Sequence, residues 1–188
     1  MTALTPANQL TLLRMLLIPA FVILVVYHYL GWALIVFAVA GLTDALDGII
    51  ARRSGQKSTL GAWLDPMADK LLAVSTFVVL TIPALGLANP LPIWLTVLII
   101  SRDVVIVLTV AIVNLAMGPR TFRPSIFGKI ATATYIVTAV AAMLFNYLGY
   151  HSVLVDIGVW ASLAITLISS FHYIWHARRI IDAPAPSV

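Results

Sequence analysis

Asp44–Asp69 reads DALDGIIARRSGQKSTLGAWLDPMAD and holds four of the chain's seven acidic residues. Asp44 and Asp47 are three residues apart, and Asp65 and Asp69 are four apart, so each pair shares one face of a helix. The short connection between the two helices folds them antiparallel, which allows the acidic faces to meet. Four carboxylates at this density repel one another unless cations are bound, and carboxylate oxygens suit Mg²⁺, Mn²⁺ or Ca²⁺. The stretch therefore predicts two neighbouring helices whose acids bind hard divalent cations.

The rest of the chain has the composition of a membrane protein. Of its 188 residues, 62% are hydrophobic and only 10% are charged, and the mean hydropathy is +1.06. Apolar runs of about 18 residues or more recur, which is the length of a helix that crosses a bilayer. Carboxylates at or near lipid are costly, so their presence here indicates function. We expect membrane lipids to be partners of the chain.

Charge and cysteine content exclude other classes of protein. The net charge is +4 and the isoelectric point is near 9.7. In a membrane protein this excess reflects Lys and Arg in cytoplasmic loops, so no nucleic-acid partner is predicted. The chain contains no cysteine, which excludes disulfides and thiolate metal sites.

Breaker residues divide the chain into six predicted transmembrane helices, which makes the fold all-α and polytopic. The predicted spans are 8–29, 32–53, 59–82, 92–117, 126–148 and 152–176. We expect one six-helix transmembrane catalytic domain, 1–182, followed by a disordered, Pro-rich tail, 183–188. The first run is too long for the apolar core of a signal peptide, so it is expected to be retained.

The basic residues predict the orientation in the membrane. They occur in the second and fourth connections and after the sixth span, whereas the first, third and fifth connections contain no Lys or Arg. Cytoplasmic loops carry the excess of Lys and Arg, so both termini and the acidic stretch are placed on the cytoplasmic side of a bacterial inner membrane. The aromatic residues expected at the outer interface are Tyr27, Tyr29, Trp32, Tyr147 and Tyr150.

The acidic stretch as a whole has the pattern Asp-x-x-Asp-Gly-x-x-Ala-Arg-x8-Gly-x3-Asp-x3-Asp. This pattern resembles the signature of the CDP-alcohol phosphotransferases, and the resemblance extends over essentially the whole chain. It implies a six-helix membrane enzyme, usually a homodimer, that transfers a phosphoalcohol from a CDP-linked donor to an acceptor hydroxyl and releases CMP. It also implies two Mg²⁺ or Mn²⁺ ions, with Asp69 as general base. The metal ligands that it implies are Asp44, Asp47, Asp65 and Asp69.

The resemblance further implies a CDP pocket on the same helices. An Asn-x-x-Thr-x-x-Arg pattern near the start of the chain resembles the family's amino-terminal pattern, and its three-residue steps keep the polar groups near one side of the first helix. Glycines in the acidic stretch allow close approach of a nucleotide, and an arginine can bind phosphate bidentately. The implied CDP-binding residues are Asn8, Thr11, Arg14, Gly48, Ala51, Arg52 and Gly61.

An anionic acceptor requires basic residues, and the fourth span supplies one. Arg102 lies near the middle of that span, where an isolated cation is costly. Adjacent residues of a helix do not face each other, so Arg102 is not expected to pair with Asp103. We expect it to point into a polar cavity whose entrance is guarded by Arg120, Arg123 and Lys129.

The sequence is compatible with two different acceptor substrates. Leu64-Asp65-Pro66-x-Ala68-Asp69-Lys70 resembles both phosphatidylglycerophosphate synthases, which imply CDP-diacylglycerol as donor and glycerol 3-phosphate as acceptor, and the cardiolipin synthases of the same fold, which use phosphatidylglycerol. Gly128-Lys129-x-x-Thr132 resembles the former, whereas Ser101-Arg102-Asp103 departs from their Arg-Glu and resembles the latter. A second lipid would need a second apolar groove, and a soluble acceptor would need only a cytoplasmic opening.

Two readings outside this family compete with it. A cation-coupled transporter would use the aspartates to bind the driving ion. Transporter sites tend to lie near the bilayer midplane, on broken helices and often within internal repeats. Here the acids lie near one interface and no repeat relates the two halves, which disfavours transport. A purely structural membrane module leaves the acidic cluster unexplained.

Overall fold

In the part of the chain that the structure describes, the fold consists of six long helices in sequence. The computed structural model describes the backbone of residues 6–54, 59–117 and 126–181, and the side chains within these ranges except 6–8, 45, 47–54, 59–66, 110, 113, 114, 116, 117 and 174–181. The helices are α1 (Pro6–Val26), α2 (Leu30–Ser54), α3 (Thr59–Thr81), α4 (Ile93–Met117), α5 (Ile126–Leu148) and α6 (Val153–Ile181). A short 3-10 turn, Pro83–Leu85, follows α3, and the described ranges contain no strand. The predicted all-α fold is therefore confirmed, with helix bounds close to the predicted spans.

The outward faces of the helices are apolar, as expected where lipid replaces water. Large apolar side chains such as Leu16, Leu115, Ile126 and Phe171 are each at least 70% exposed. A soluble protein rarely leaves so much apolar surface uncovered. Within the described residues, three segments are long and apolar enough to cross a membrane, namely Gln9–Val26, Ile126–Leu148 and Val153–Tyr173. The count of six spans stays a prediction.

The backbone contacts divide the chain into two compact units. The first comprises Met1–Pro90 and Ala139–His151, and the second comprises Leu91–Thr138 and Ser152–Val188. The predicted single domain 1–182 stays a prediction, and the predicted tail, 183–188, lies outside the described residues.

In the first unit, α1 packs against both α2 and α3. The aromatic side chains of Phe21 and Phe37 are buried, with ring centroids 5.8 Å apart. A tight turn joins α1 to α2, and His28 in that turn has a φ of 61°. The connection after α3 is tied to the end of α5, where Asn89 donates its backbone N–H to Asn146 Oδ1 over 2.6 Å. The packing of α1 against α2 and α3 holds the first three helices together.

In the second unit, α6 packs against α4 and against the first half of α5. The hydroxyls of Tyr135 and Thr166 share a hydrogen bond, and those of Thr138 and Ser162 share another over 3.2 Å. Burying a hydroxyl is costly unless it is hydrogen-bonded. These pairs therefore satisfy polar groups inside an otherwise apolar packing surface.

Candidate functional site

The first helix contributes two buried polar residues to the face that packs against α2 and α3. Thr11 and Arg14 lie one turn apart on α1, and both are completely buried. Their common burial follows from the three-residue spacing, which puts both side chains on the face of α1 that packs against α2 and α3. The predicted alignment of these two residues on one side of the helix is seen in the structure.

Arg14 brings two of the predicted metal ligands together. Its Nη1 lies 2.9 Å from Asp44 Oδ1, on α2. The same nitrogen donates a short hydrogen bond to Asp69 Oδ1, on α3. The acidic faces of α2 and α3 thus meet at Asp44 and Asp69, and a guanidinium from a third helix lies between them.

Arg14 is buried, whereas the two aspartates that it contacts are half exposed. The Arg14 side chain has no exposed surface, whereas the side chains of Asp44 and Asp69 are 46% and 49% exposed. A buried guanidinium is tolerated only when it is paired and hydrogen-bonded. The carboxylates of Asp44 and Asp69 supply that pairing. About half of each side chain is exposed and can contact a ligand.

The donor chemistry of the two aspartates fits a hard divalent cation. Their oxygens come from different helices, already share one cationic partner and are half exposed. Carboxylate oxygens are the ligands that Mg²⁺ and Mn²⁺ prefer. Among the described side chains, no group of three or more His, Cys, Asp or Glu is placed to hold a metal ion. The side chains of Asp47 and Asp65 lie outside the described residues, so the full four-aspartate site stays a prediction.

Most of the predicted nucleotide-binding residues have described backbones but no described side chains. All of them belong to helices α1, α2 or α3, so the elements that would form the pocket are present. The predicted residues whose side chains lie outside the described part are Asn8, Gly48, Ala51, Arg52 and Gly61.

Arg102 lies on α4 in the second unit, and its side chain is only 11% exposed. Its Nη2 donates a hydrogen bond to Ser169 Oγ on α6 over 2.7 Å. Its Nη1 donates to Asp103 Oδ1 over 2.8 Å. Its Nε is buried and has no hydrogen-bond partner in the part of the chain that the structure describes. Two of its nitrogens are therefore hydrogen-bonded within the unit, and the third, Nε, has no partner among the residues described there.

The expectation that Arg102 would not pair with Asp103 is wrong. The Cα–Cβ bonds of adjacent helix residues point in different directions, so short side chains at adjacent positions do not meet. The arginine side chain is long and flexible enough to turn back along the helix surface, so its guanidinium reaches a carboxylate one residue away. The ion pair lies within α4, and the second partner of Arg102 comes from α6.

Of the other predicted acceptor-binding residues, Lys129 belongs to the described part of the chain. It is exposed on the first turn of α5. One turn later, Thr132 donates its hydroxyl to the Gly128 carbonyl over 3.1 Å. Arg120 and Arg123 lie outside the described residues.

Ser169 is a partner of Arg102 that sequence reasoning missed. It belongs to a row of small polar residues on α6, Ser162, Thr166 and Ser169, all of which are at least 99% buried. Their spacing of four and three residues keeps them on one helix face. Small hydroxyl residues repeated on one face of an apolar helix indicate helix–helix contact in a membrane, and this signal is readable in the sequence.

The helical fold, the apolar outer faces and the paired aspartates together indicate a membrane protein with a carboxylate site suited to a divalent cation. The family model described as CDP-alcohol phosphatidyltransferase matches residues 4–168. The chain belongs to this family.

Individual relatives carry two kinds of name. The chain is 36% identical to a human cardiolipin synthase (CMP-forming), over 93% of this chain and 62% of the human one. It is 33% identical to a probable phosphatidylglycerophosphate synthase of Mycobacterium tuberculosis, over 93% of this chain and 82% of that one. It is 31% identical to the CDP-diacylglycerol--glycerol-3-phosphate 3-phosphatidyltransferase of Bacillus subtilis, over 92% of this chain and 96% of that one.

These matches place the chain in its family and leave its acceptor open. The chain spans 62% of the length of the human and rat cardiolipin synthases. Members of the family generally use divalent metal ions. Together with the three apolar helices, family membership indicates an integral membrane protein.

Proposed function

We propose that the chain catalyses transfer of the phosphatidyl group from CDP-diacylglycerol to the hydroxyl of glycerol 3-phosphate, giving phosphatidylglycerophosphate and CMP. The observation that carries this proposal is the meeting of Asp44 and Asp69 at one guanidinium nitrogen, in a chain that has the family's complete acidic pattern. The relatives named for this reaction support the donor and the leaving group.

The chain's own residues have distinct tasks in this reaction. Asp44, Asp47, Asp65 and Asp69 would hold two Mg²⁺ or Mn²⁺ ions, and bound metal neutralises the charge of the diphosphate and of the leaving CMP. The CDP moiety would contact Asn8, Thr11, Arg14, Gly48, Ala51, Arg52 and Gly61. Asp69 takes the proton of the acceptor hydroxyl as that oxygen attacks the β-phosphorus. The new bond joins oxygen to phosphorus, and the bond to CMP breaks.

The basic residues of the second unit support glycerol 3-phosphate as acceptor. This acceptor carries a phosphomonoester, which needs more than one positive charge. Arg102 provides one largely buried guanidinium, and Lys129 provides an exposed ammonium. Arg120 and Arg123 complete the proposed acceptor site.

Phosphatidylglycerol is the second candidate acceptor, with cardiolipin as product. The Ser101-Arg102-Asp103 triplet favours it, and so does the likeness to cardiolipin synthases, including 34% identity with the one of Streptomyces coelicolor. The two candidates share the donor, the acids and CMP release, and they differ only in the molecule that supplies the hydroxyl.

We further propose that the protein is a homodimer in the inner membrane of a bacterium, with the acidic site on the cytoplasmic side. The placement of Lys and Arg in the second and fourth connections supports this orientation. The dimer is proposed from family membership.

A single assay tests both the reaction and the acceptor. Purified protein in detergent is given CDP-diacylglycerol with Mg²⁺ or Mn²⁺ and either glycerol 3-phosphate or phosphatidylglycerol, and products are identified by mass. We expect metal-dependent CMP release together with phosphatidylglycerophosphate. Cardiolipin as the product would select the second candidate, and no CMP release with either acceptor would overturn the enzymatic proposal.

The role of Asp69 is tested in the same assay by Asp69→Asn. General-base catalysis contributes about 10²–10⁴-fold, so kcat should fall by about 10²-fold or more. Asp156→Asn is the matched control, because it makes the same chemical change at an acid in the first turn of α6 that has no proposed role. Near-normal turnover of Asp69→Asn would contradict the assignment.

A further inference from the structure

We infer that Arg14 is the resident counter-cation of the acidic site. It holds Asp44 and Asp69 together when no metal is bound, and it opposes metal binding electrostatically. The inference rests on the proposed function, because it takes these aspartates as metal ligands. It assigns Arg14 a positioning role in addition to the predicted contact with CDP.

The geometry gives Arg14 this role. A single nitrogen, Nη1, contacts Oδ1 of both aspartates, so one positive charge lies between two negative ones. The two carboxylates belong to different helices and would repel each other at this separation without it. The guanidinium is fully buried, so it cannot exchange these partners for water without leaving the packed face of α1.

The same charge must act against an incoming divalent ion. A guanidinium that contacts both carboxylates lies within a few ångströms of any cation that the same oxygens bind, and like charges at that distance repel strongly in a partly buried site. Removal of the Arg14 charge therefore has two opposite effects. The metal-free protein loses the charge that balances its aspartates, and the metal-bound protein loses a repulsion.

These two effects distinguish a counter-cation from a residue that contributes to stability only by packing. Loss of packing lowers stability equally with and without metal. Loss of a counter-cation lowers stability chiefly without metal, and metal restores it. Because a ligand stabilises the folded state by RT ln(1 + [L]/Kd), a larger gain on adding metal also reports tighter binding.

The experiment measures the thermal unfolding midpoint of the full chain in detergent, first in EDTA and then in excess Mn²⁺. For Arg14→Gln we expect a midpoint about 5 °C or more below wild type in EDTA, since each kcal/mol shifts the midpoint by about 2–4 °C at this size. Mn²⁺ should recover most of that loss. Arg14→Lys keeps a cation and should fall between wild type and Arg14→Gln.

Lys70→Gln is the matched control. Lys70 carries the same charge next to Asp69, but its side chain is exposed. Its gain in midpoint on adding Mn²⁺ should equal that of wild type. If Arg14→Gln loses the same amount of stability in EDTA and in Mn²⁺, or loses none in EDTA, the inference is wrong.

A second variant tests the charge balance in the absence of metal. It also keeps the inference testable if Arg14→Gln alone does not fold in EDTA. Asp44→Asn in the Arg14→Gln background removes one of the two repelling charges, so its midpoint in EDTA should exceed that of Arg14→Gln, or it should fold where the single variant does not. A double variant that is no better than the single one would overturn the inference. CMP release by wild type is scored separately, so the transferase proposal and the counter-cation inference can fail independently.

Discussion

At the scale of single residues, Arg102 shows how an arginine is tolerated inside an apolar helix bundle. Two of its nitrogens donate to Asp103 and Ser169, and only 11% of its side chain is exposed. Its Nε remains a buried donor without a partner in the described part of the chain. Buried donors that lack a partner are costly, which makes Arg102 a residue to test as part of the proposed acceptor site.

Substitution of Arg102 should therefore act on acceptor binding. A lysine keeps the charge but loses the planar fork of donors, and a hydrogen bond to a charged group contributes about 1.5–3 kcal/mol. We expect Arg102→Lys to raise the KM for the acceptor about tenfold or more, with a smaller effect on the KM for CDP-diacylglycerol. Steady-state kinetics with each substrate varied in turn measure this split.

The control for Arg102→Lys is Thr109→Ala on the same helix. Thr109 bonds its own helix at the Val105 carbonyl, and the substitution should leave both KM values unchanged. If Arg102→Lys and Arg102→Ala leave the acceptor KM at the wild-type value, Arg102 is not part of the acceptor site.

At the scale of elements, α5 and α6 approach each other closely at Gly158. A Cβ added there would lie 2.8 Å from Thr138 Oγ1 and 3.3 Å from Thr138 Cβ. Rotation of the Thr138 side chain would not relieve the second contact, and it would break hydrogen bonds to the Thr134 carbonyl and to Ser162. The two helices would have to separate.

Three glycine-to-alanine substitutions should accordingly differ in the sign and size of their effect on the stability of the protein. Gly158→Ala overpacks the α5–α6 contact and should destabilise the protein by about 1–3 kcal/mol. Gly41→Ala has open space around the new Cβ, and should stabilise α2 by roughly 0.5–1 kcal/mol. Gly31→Ala meets only the ring of Tyr147, which is 57% exposed and free to move aside, so its effect should be small.

Unfolding midpoints of the three variants in detergent test this order. Gly158→Ala should have the lowest midpoint and Gly41→Ala the highest. A Gly158→Ala variant as stable as wild type would show that the α5–α6 contact tolerates a methyl group, contrary to the packing described above.

At the scale of the whole molecule, the described helices have apolar outer faces, and several buried hydroxyls form hydrogen-bonded pairs between helices. Leu16, Leu115 and Phe171 represent the exposed apolar faces, and the Thr138–Ser162 and Tyr135–Thr166 pairs represent the satisfied interior. Lipid surrounds such a molecule without exposing apolar surface to water. The orientation in the bilayer is predicted from the distribution of Lys and Arg.

The absence of cysteine makes the orientation directly testable, because an introduced cysteine is the only thiol in the chain. His151→Cys, which is exposed between α5 and α6, should react with a membrane-impermeant maleimide in intact spheroplasts. Lys57→Cys, in the connection between α2 and α3, should react only after the membrane is permeabilised. The reverse labelling pattern would place the acidic site outside the cell.

Much of this protein could be predicted from its sequence because the signals are local. The helices α1–α6 follow from the length of apolar runs and the breakers between them, and the meeting of Asp44 with Asp69 follows from their spacing on two consecutive helices. The side chains of Asp47 and Asp65 lie outside the described residues, so their part in the site remains a prediction from that same spacing.

Tertiary structure alone decided which partners meet across long separations in the chain. The contacts of Arg14 with Asp44 and Asp69, and of Arg102 with Ser169, depend on how helices distant in sequence pack, which helical periodicity does not specify. The pairing of Arg102 with Asp103 depends on the path of one flexible side chain, which spacing rules do not predict. The sequence thus determined the helices and the types of residue at the site. The packing of the helices determined which acidic side chain or hydroxyl each arginine contacts.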